Sequence, residues 1–391
     1  MKPVYDSLCI SRMLQNLGSI LEGKTSAVPG ILGNCAGNSH MVLLIADGMG
    51  LLNIKENIGR LPFLDRLNTE GSLAAGTSVF PSTTAASMTS LYTASDPFSH
   101  GLLEWYLYLD EAEMVIETLP FSAQNPAEAD KFKSLDLDIR LLFEGEPYTS
   151  RLTAEGIECT AIMPRSIKDS AYSSAVFPSA DTIGYETLED VLPLMMDKGV
   201  TGKRLTVIYY PGADTEGHVH GPLSENYLEE MRRVDSFLRA FRESEVSGTS
   251  LVMTADHGQT EIDPRSVVYL DEFDWFDDML PVAASGKTIP PYGSPRDVII
   301  RSMDAVKMKS MLERELGDTA AAAESLRLAG EGYFGSGKKA RSLSSRMGDL
   351  WLLPGTGTGI WYRHFDDEEV RLKGMHGGLT AKEMLIPVAV V

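Results

Sequence analysis

Cysteine is scarce in this chain. Cys9, Cys35 and Cys159 are widely spaced and odd in number, and no Cys-x-x-Cys occurs. That argues against a disulfide framework and points to a reducing compartment. No apolar run is long enough to span a bilayer. The first residues, Met1-Lys2-Pro3-Val4-Tyr5-Asp6, lack the basic-then-apolar pattern of a secretory signal. The expected location is cytoplasmic. Positive charge is also in short supply: 35 Lys and Arg stand against 55 Asp and Glu, a formal charge of −20, with no basic run. Nucleic-acid polymers and anionic membranes are poor partners for such a surface. A small anionic ligand would need a local positive centre, which bound metal supplies.

Apolar content is ample. Hydrophobic residues make up 43% of the 391 positions, enough for a sizeable core. Met41–Ala46, Ile157–Ile162, Leu205–Tyr210, Leu251–Ala255 and Leu385–Val391 are short, nearly continuous apolar runs. They read as buried strands. Between them lie helical patterns: about Thr84 to Thr93, Leu188 to Met195 ending before Lys198-Gly199, and about Ser224 to Arg242. Buried strands alternating with helices predict an α/β fold, a mostly parallel central sheet with helices on both faces. Residues 262–348 differ. Asp297–Arg301 reads as a strand and Ala305–Leu316 and Ala320–Leu328 as helices, amid Pro and Gly. We expect one catalytic domain over 1–391 carrying a small α+β insertion at 262–348, a possible cap. Residues 103–150 are acidic and irregular, a second excursion.

The chemistry-bearing residues gather at the predicted strand ends. Asp47-Gly48 follows the first strand. Asp214 and His218 follow Leu205–Tyr210. Asp256-His257-Gly258 follows Leu251–Ala255, and His376-Gly377-Gly378 precedes the last strand. Taken singly, each has an ordinary reading as a turn or a surface pair. Together, at the carboxyl edge where open α/β sheets bind ligands, they predict one convergent metal site. Carboxylate with imidazole suits Zn²⁺, with Mn²⁺ or Mg²⁺ as alternatives. Two such ions can stabilise the attacking and leaving oxygens of an in-line displacement.

A hydroxyl candidate lies in Phe80-Pro-Ser-Thr-Thr84-Ala-Ala-Ser87, which opens a helix where backbone N–H groups favour an anion. A helix cap is the ordinary reading; metal coordination would make Thr84 a nucleophile. Trp105 and Tyr172 are candidate substrate contacts, with core packing as the plainer reading. Gly332–Lys339 approaches a P-loop but has Lys339 where the motif needs Ser or Thr.

These motifs resemble the alkaline phosphatase superfamily, and within it the nucleotide pyrophosphatase/phosphodiesterase-like branch. The resemblance runs from Met41 to the C-terminus: Asp-Gly, Phe-Pro-x-x-Thr, His100-Gly101, Asp214 to Pro222, Asp-His-Gly and His-Gly-Gly, in the family's order. It implies an alkaline phosphatase-like fold and two zinc ions. Asp214, His218 and His376 would hold one ion. Asp47, Asp256 and His257 would hold the other, with Thr84 as ligand and nucleophile. The implied activity is hydrolysis of small phosphate esters, of phosphodiesterase or nucleotide pyrophosphatase type, through a phospho-threonine. The branch usually places Asn three residues after its Thr, to hold phosphate. Here that residue is Ser87, a shorter reader, which raises a phosphomonoester or phosphonate as alternative substrate. A phosphosugar mutase and a catalytically silent metal-binding protein are more distant alternatives. A sulfatase is disfavoured, because the chain has no Cys-x-Pro-x-Arg segment of the type that family uses.

Overall fold

The computed structural model describes residues 1–6, 8–196, 202–244, 246–366 and 368–391. The apolar runs assemble into one seven-stranded sheet. Its order is Leu73–Thr77, Leu385–Val390, Thr249–Thr254, His40–Ala46, Arg204–Tyr210, Glu158–Pro164 and Asp181–Tyr185. All seven residues of the middle strand, His40–Ala46, are buried. Both of its faces are therefore covered, which is why the run reads as continuously apolar. The edge strand Asp181–Tyr185, polar and mostly half-buried, escaped the sequence reading.

Strand direction positions the site. His40–Ala46 pairs in parallel with Arg204–Tyr210, Ala46 opposite Tyr210, and with Thr249–Thr254, Ile45 opposite Thr254. The segments leaving these three strands therefore emerge together at one edge. Leu385–Val390 runs antiparallel to both its neighbours. The chain entering it arrives at the same edge, and this reversal delivers His376 to Asp47, Asp214 and Asp256.

The helix Thr84–Thr93 has the predicted bounds. Thr83 caps it, its hydroxyl accepting from the Ala86 N–H, and all ten helical residues are buried. Glu225–Glu243 buries Tyr227, Met231, Val234, Leu238 and Phe241, the face its periodicity predicts. A helix also covers Val191–Met196; its expected end at Lys198-Gly199 lies outside the described residues.

Within 262–348 one expectation is corrected. Ala320–Glu324 is a strand, not the start of a helix, and only Ser325–Gly330 is helical. It pairs antiparallel with Leu350–Pro354, which also pairs with Val298–Ile300. The central strand of this small sheet thus lies just past residue 348. Ala320, Ala322, Val298, Ile300, Leu350 and Leu352 join Met308 and Leu312 of helix Ala305–Leu316 in a second hydrophobic cluster. Ile299 and Trp351, on the opposite face, pack into the main core. Burial with period two overrode alanine's helix propensity. Residues 103–150 contain a three-stranded antiparallel ribbon, Tyr106–Leu109, Met114–Glu117 and Ser122–Ala123.

A fully buried ion pair ties the insertion to the approach to the last strand. Arg296 Nε lies 3.0 Å from Glu383 Oε1, and neither side chain is exposed. Arg296 also donates to the Thr358 carbonyl at 2.6 Å. Glu383 accepts from the Gly378 N–H at 3.1 Å and the Thr380 hydroxyl at 2.6 Å. The charges are fully hydrogen-bonded, as burial requires. The pair holds the His376-Gly377-Gly378 segment against Asp297. At Gly377, where φ is +119°, an added Cβ would sit 2.6 Å from Asp297 Oδ1. Only glycine fits there.

Candidate metal centre and nucleophile

Asp47, Asp214, His218, Asp256, His257 and His376 converge at the carboxyl edge of the sheet. His218 Nε2 is 3.2 Å from Asp214 Oδ2, and His376 Nε2 is 3.7 Å from Asp214 Oδ1. His257 Nε2 is 3.2 Å from Asp256 Oδ2 and 3.5 Å from Asp47 Oδ1. The rings of His257 and His376 stack with centroids 3.6 Å apart. Two groups of three have ligand atoms mutually within 4.8 Å: Asp214 with His218 and His376, and Asp47 with Asp214 and His257. Asp214 belongs to both. The resemblance implies Asp256 in the second group, and Asp256 reaches it through His257.

The three imidazoles share an orientation. Nδ1 faces a backbone carbonyl in each: Gly374 for His218 at 2.8 Å, Ser82 for His376 at 3.1 Å, Gly258 for His257 at 3.2 Å. A neutral ring that donates from Nδ1 has its lone pair on Nε2. Each lone pair then points at carboxylate oxygens, an acceptor facing acceptors. Only a proton or a cation between them resolves that conflict. Backbone carbonyls fixing the tautomer of metal-bound histidines are the usual arrangement. Asp47 Oδ1 and Asp256 Oδ2 are buried with no hydrogen-bond partner, and leaving such atoms unpaired is costly. The donor set therefore fits divalent cations.

The charge balance agrees. Burial, then the neighbouring Asp256 and Asp214, push the Asp47 carboxyl well above the usual range. Burial alone would raise Asp214 too, but His218, then His376 and His257, hold it well below. Burial works against protonating His218, yet Asp214 lifts it above its ordinary value. Burial and His257 push His376 well below. Clustered buried carboxylates without a compensating cation repel one another, and bound metal inverts that local logic.

Thr84 opens its helix with Oγ1 3.1 Å from His257 Nε2. It lines two pockets, of about 350 and 320 Å³, and Trp105 lines both as well. Asp214, His218 and His376 border the first. Tyr172 borders the second, its hydroxyl 2.8 Å from Thr89 Oγ1. Ser87 is different. It is fully buried, its Oγ lies 2.9 Å from Ser78 Oγ, and it borders neither pocket. Ser78 in turn donates to the Asp256 carbonyl. Ser87 holds up the Asp256 loop and is not placed to read phosphate. Ser87→Ala should lower stability by about 1 kcal/mol and leave KM unchanged. Thermal melts and steady-state kinetics check this, and a tenfold rise in KM would assign it to the substrate.

Sequence reading missed the residues that hold the candidate ligands. Tyr209 donates its hydroxyl to Asp47 Oδ2. Gln259 donates to the Asp214 carbonyl at 2.9 Å and to its Oδ1. Gln259 directly follows Asp-His-Gly, a signal that adjacency offered. Glu104 and Asp297 were also missed. Burial, then Asp297, push Glu104 well above the usual range, and burial lifts Asp297 to about 7. Glu104 lines the first pocket, with Asp297 packed behind Ser294 of the same wall. His100 is buried and held by Ser90 Oγ at 2.8 Å, a packing role.

A sequence profile described as type I phosphodiesterase/nucleotide pyrophosphatase matches residues 41–379. The chain belongs to that family. A venom phosphodiesterase of Crotalus durissus collilineatus is 23% identical over 252 residues. That match covers 61% of this chain but 29% of the venom protein, so the chain spans under a third of that relative's length. Among solved structures, murine ectonucleotide pyrophosphatase/phosphodiesterase 5 superposes with a TM-score of 0.63 at 15% identity, covering 89% of this chain and 87% of that one. Phosphonoacetate hydrolase from Sinorhizobium meliloti, with phosphonoacetate bound, gives 0.61 at 15% identity, covering 90% and 89%. At such identities the likeness establishes the shared alkaline phosphatase-like fold.

Proposed function

We propose that this chain hydrolyses small phosphate esters with two divalent ions and a covalent phospho-threonine at Thr84. The observation that carries the reading is the Thr84 hydroxyl beside two ligand groups that share Asp214. Asp214, His218 and His376 would hold one ion; Asp47, Asp256 and His257, with Thr84, would hold the other. Zinc suits this donor set first, with Mn²⁺ or Mg²⁺ as alternatives. Bound ions supply Lewis acidity at the phosphoryl oxygens and lower the pKa of a nearby hydroxyl. The protein does the rest. Thr84 Oγ1 bonds to phosphorus as the bond to the departing alcohol oxygen breaks, and water then cleaves the phospho-threonine. Helix Thr84–Thr93 begins at this residue, and the N-terminal N–H groups that the Thr83 cap does not take would be available to the phosphoryl group. We read 1–391 as one catalytic domain and 262–348 as its cap, since Ser294 and Pro295 line the first pocket.

A phosphonate hydrolase or phosphomonoesterase on the same scaffold is the second reading. Ser87 turned toward Ser78 favours it, because no side chain at that position reads a diester phosphate. A phosphonoacetate carboxylate would need a cation. Arg371 is the lone Lys or Arg among the described residues lining either pocket.

The test uses an aryl phosphodiester, an aryl monoester and phosphonoacetate. Chelation should abolish hydrolysis, and zinc should restore it with about two ions per chain. Protein carrying two zinc ions yet inert toward all three would sink the reading.

A further inference from the structure

The second pocket shares Thr84 with the first, but none of the six candidate ligands lines it. One wall is a single helix face: Thr84, Met88 and Tyr92, at i, i+4 and i+8. The opposite wall comes from the end of strand Glu158–Pro164 and the chain after it, with Met163, Val176 and Phe177. Phe177 meets Tyr92 edge to face, centroids 4.6 Å apart. At about 320 Å³ the pocket is near the lower end of the roughly 300–1,000 Å³ typical of small-molecule sites.

Its chemistry is one-sided. Among the described residues no Asp, Glu, Lys, Arg, His, Asn or Gln lines it. Most of its hydroxyls are already engaged. Tyr172 pairs with Thr89, and Tyr209 donates to Asp47. Ser170 caps helix Ala171–Val176, accepting from the Ser173 N–H at 3.1 Å, and donates to Ser173 Oγ at 3.0 Å. A nucleobase placed here would lose water from its polar edge and find no amide or carboxylate to replace it. An aromatic or alkyl group would lose nothing and gain contact with Tyr92, Tyr172, Phe177 and Trp105.

We infer that this pocket receives the organic group of the ester, and that the group is apolar and of about phenyl size rather than a nucleoside. The inference rests on the proposed phosphoryl site at Thr84. AMP, bound in one structure of murine ectonucleotide pyrophosphatase/phosphodiesterase 5, is the natural competitor.

Three dianions separate the possibilities: methylphosphonate, phenylphosphonate and AMP, titrated into zinc-loaded protein by calorimetry. Phenylphosphonate should bind at least about tenfold tighter than the other two, the scale expected for burying one aromatic ring. Ile167→Trp and Leu119→Trp, made separately at rim positions that are not fully buried, should each drive the phenyl-to-methyl ratio toward one. A ratio near one in the parent protein overturns the inference. So does AMP binding as tightly as phenylphosphonate, or a ratio that neither tryptophan moves. Absence of methylphosphonate binding overturns the phosphoryl site itself, and the pocket assignment with it.

Discussion

Thr84→Ala should lower kcat/KM by at least about 10⁴-fold, the scale seen when a covalent nucleophile is removed, while metal content stays near two ions per chain. The neighbouring hydroxyls explain why no other group would substitute. Thr83 Oγ1 donates to the Leu103 carbonyl and accepts from Ala86 N–H. Ser82 Oγ donates to the Gly378 carbonyl at 2.8 Å. Ser87 pairs with Ser78. Ser294, on the wall of the first pocket, is spent on Asp297 and the His376 carbonyl. Thr84 alone among them faces an imidazole Nε2 and both pockets. Thr84→Ser should recover much of the loss, since it keeps the oxygen and drops a methyl. Assay on an aryl ester together with elemental analysis reads both effects. Activity within tenfold of the parent would mean that water attacks phosphorus directly.

Asp214→Asn should reduce activity by on the order of 10²–10³-fold and lower metal occupancy below two. Asp214 is the one residue present in both ligand groups. Its carboxylate oxygens meet His218 Nε2 at 3.2 Å and His376 Nε2 at 3.7 Å. An amide removes the charge and aims N–H donors where lone pairs must converge on a cation. The backbone would hold, because the Asp214 N–H still donates to the Asp47 carbonyl at 3.1 Å and Gln259 still donates to the Asp214 carbonyl. Metal titration and thermal melts separate lost binding from lost folding. A variant that keeps two tightly held ions would show that Asp214 is not a metal ligand.

The candidate ligands were legible because of where they sit in the chain. Asp47 and Asp256 each follow a buried apolar strand within two residues, and parallel strands in register deliver their ends to one edge. His376 was legible only as a motif. Nothing in its own segment says that the strand after it runs antiparallel, and that reversal is what brings it to the site. Ala320–Glu324 misled because an alanine run carries a helical preference that pairing with Leu350–Pro354 overrules. Ser87 sits three residues past Thr84, a spacing that keeps the two near one helix face; only tertiary packing, which buries Ser87 against Ser78, decides that it borders neither pocket.

The sequence by itself thus determined the α/β class, the family and the identities of the six candidate ligands and the hydroxyl. Residue type sets donor chemistry, and local periodicity sets each element. Tertiary structure alone decided which ligands share Asp214, which nitrogen each histidine presents, and that a second, apolar pocket opens at Thr84. Those depend on distances and orientations between segments far apart in the chain, which packing sets and no local pattern encodes.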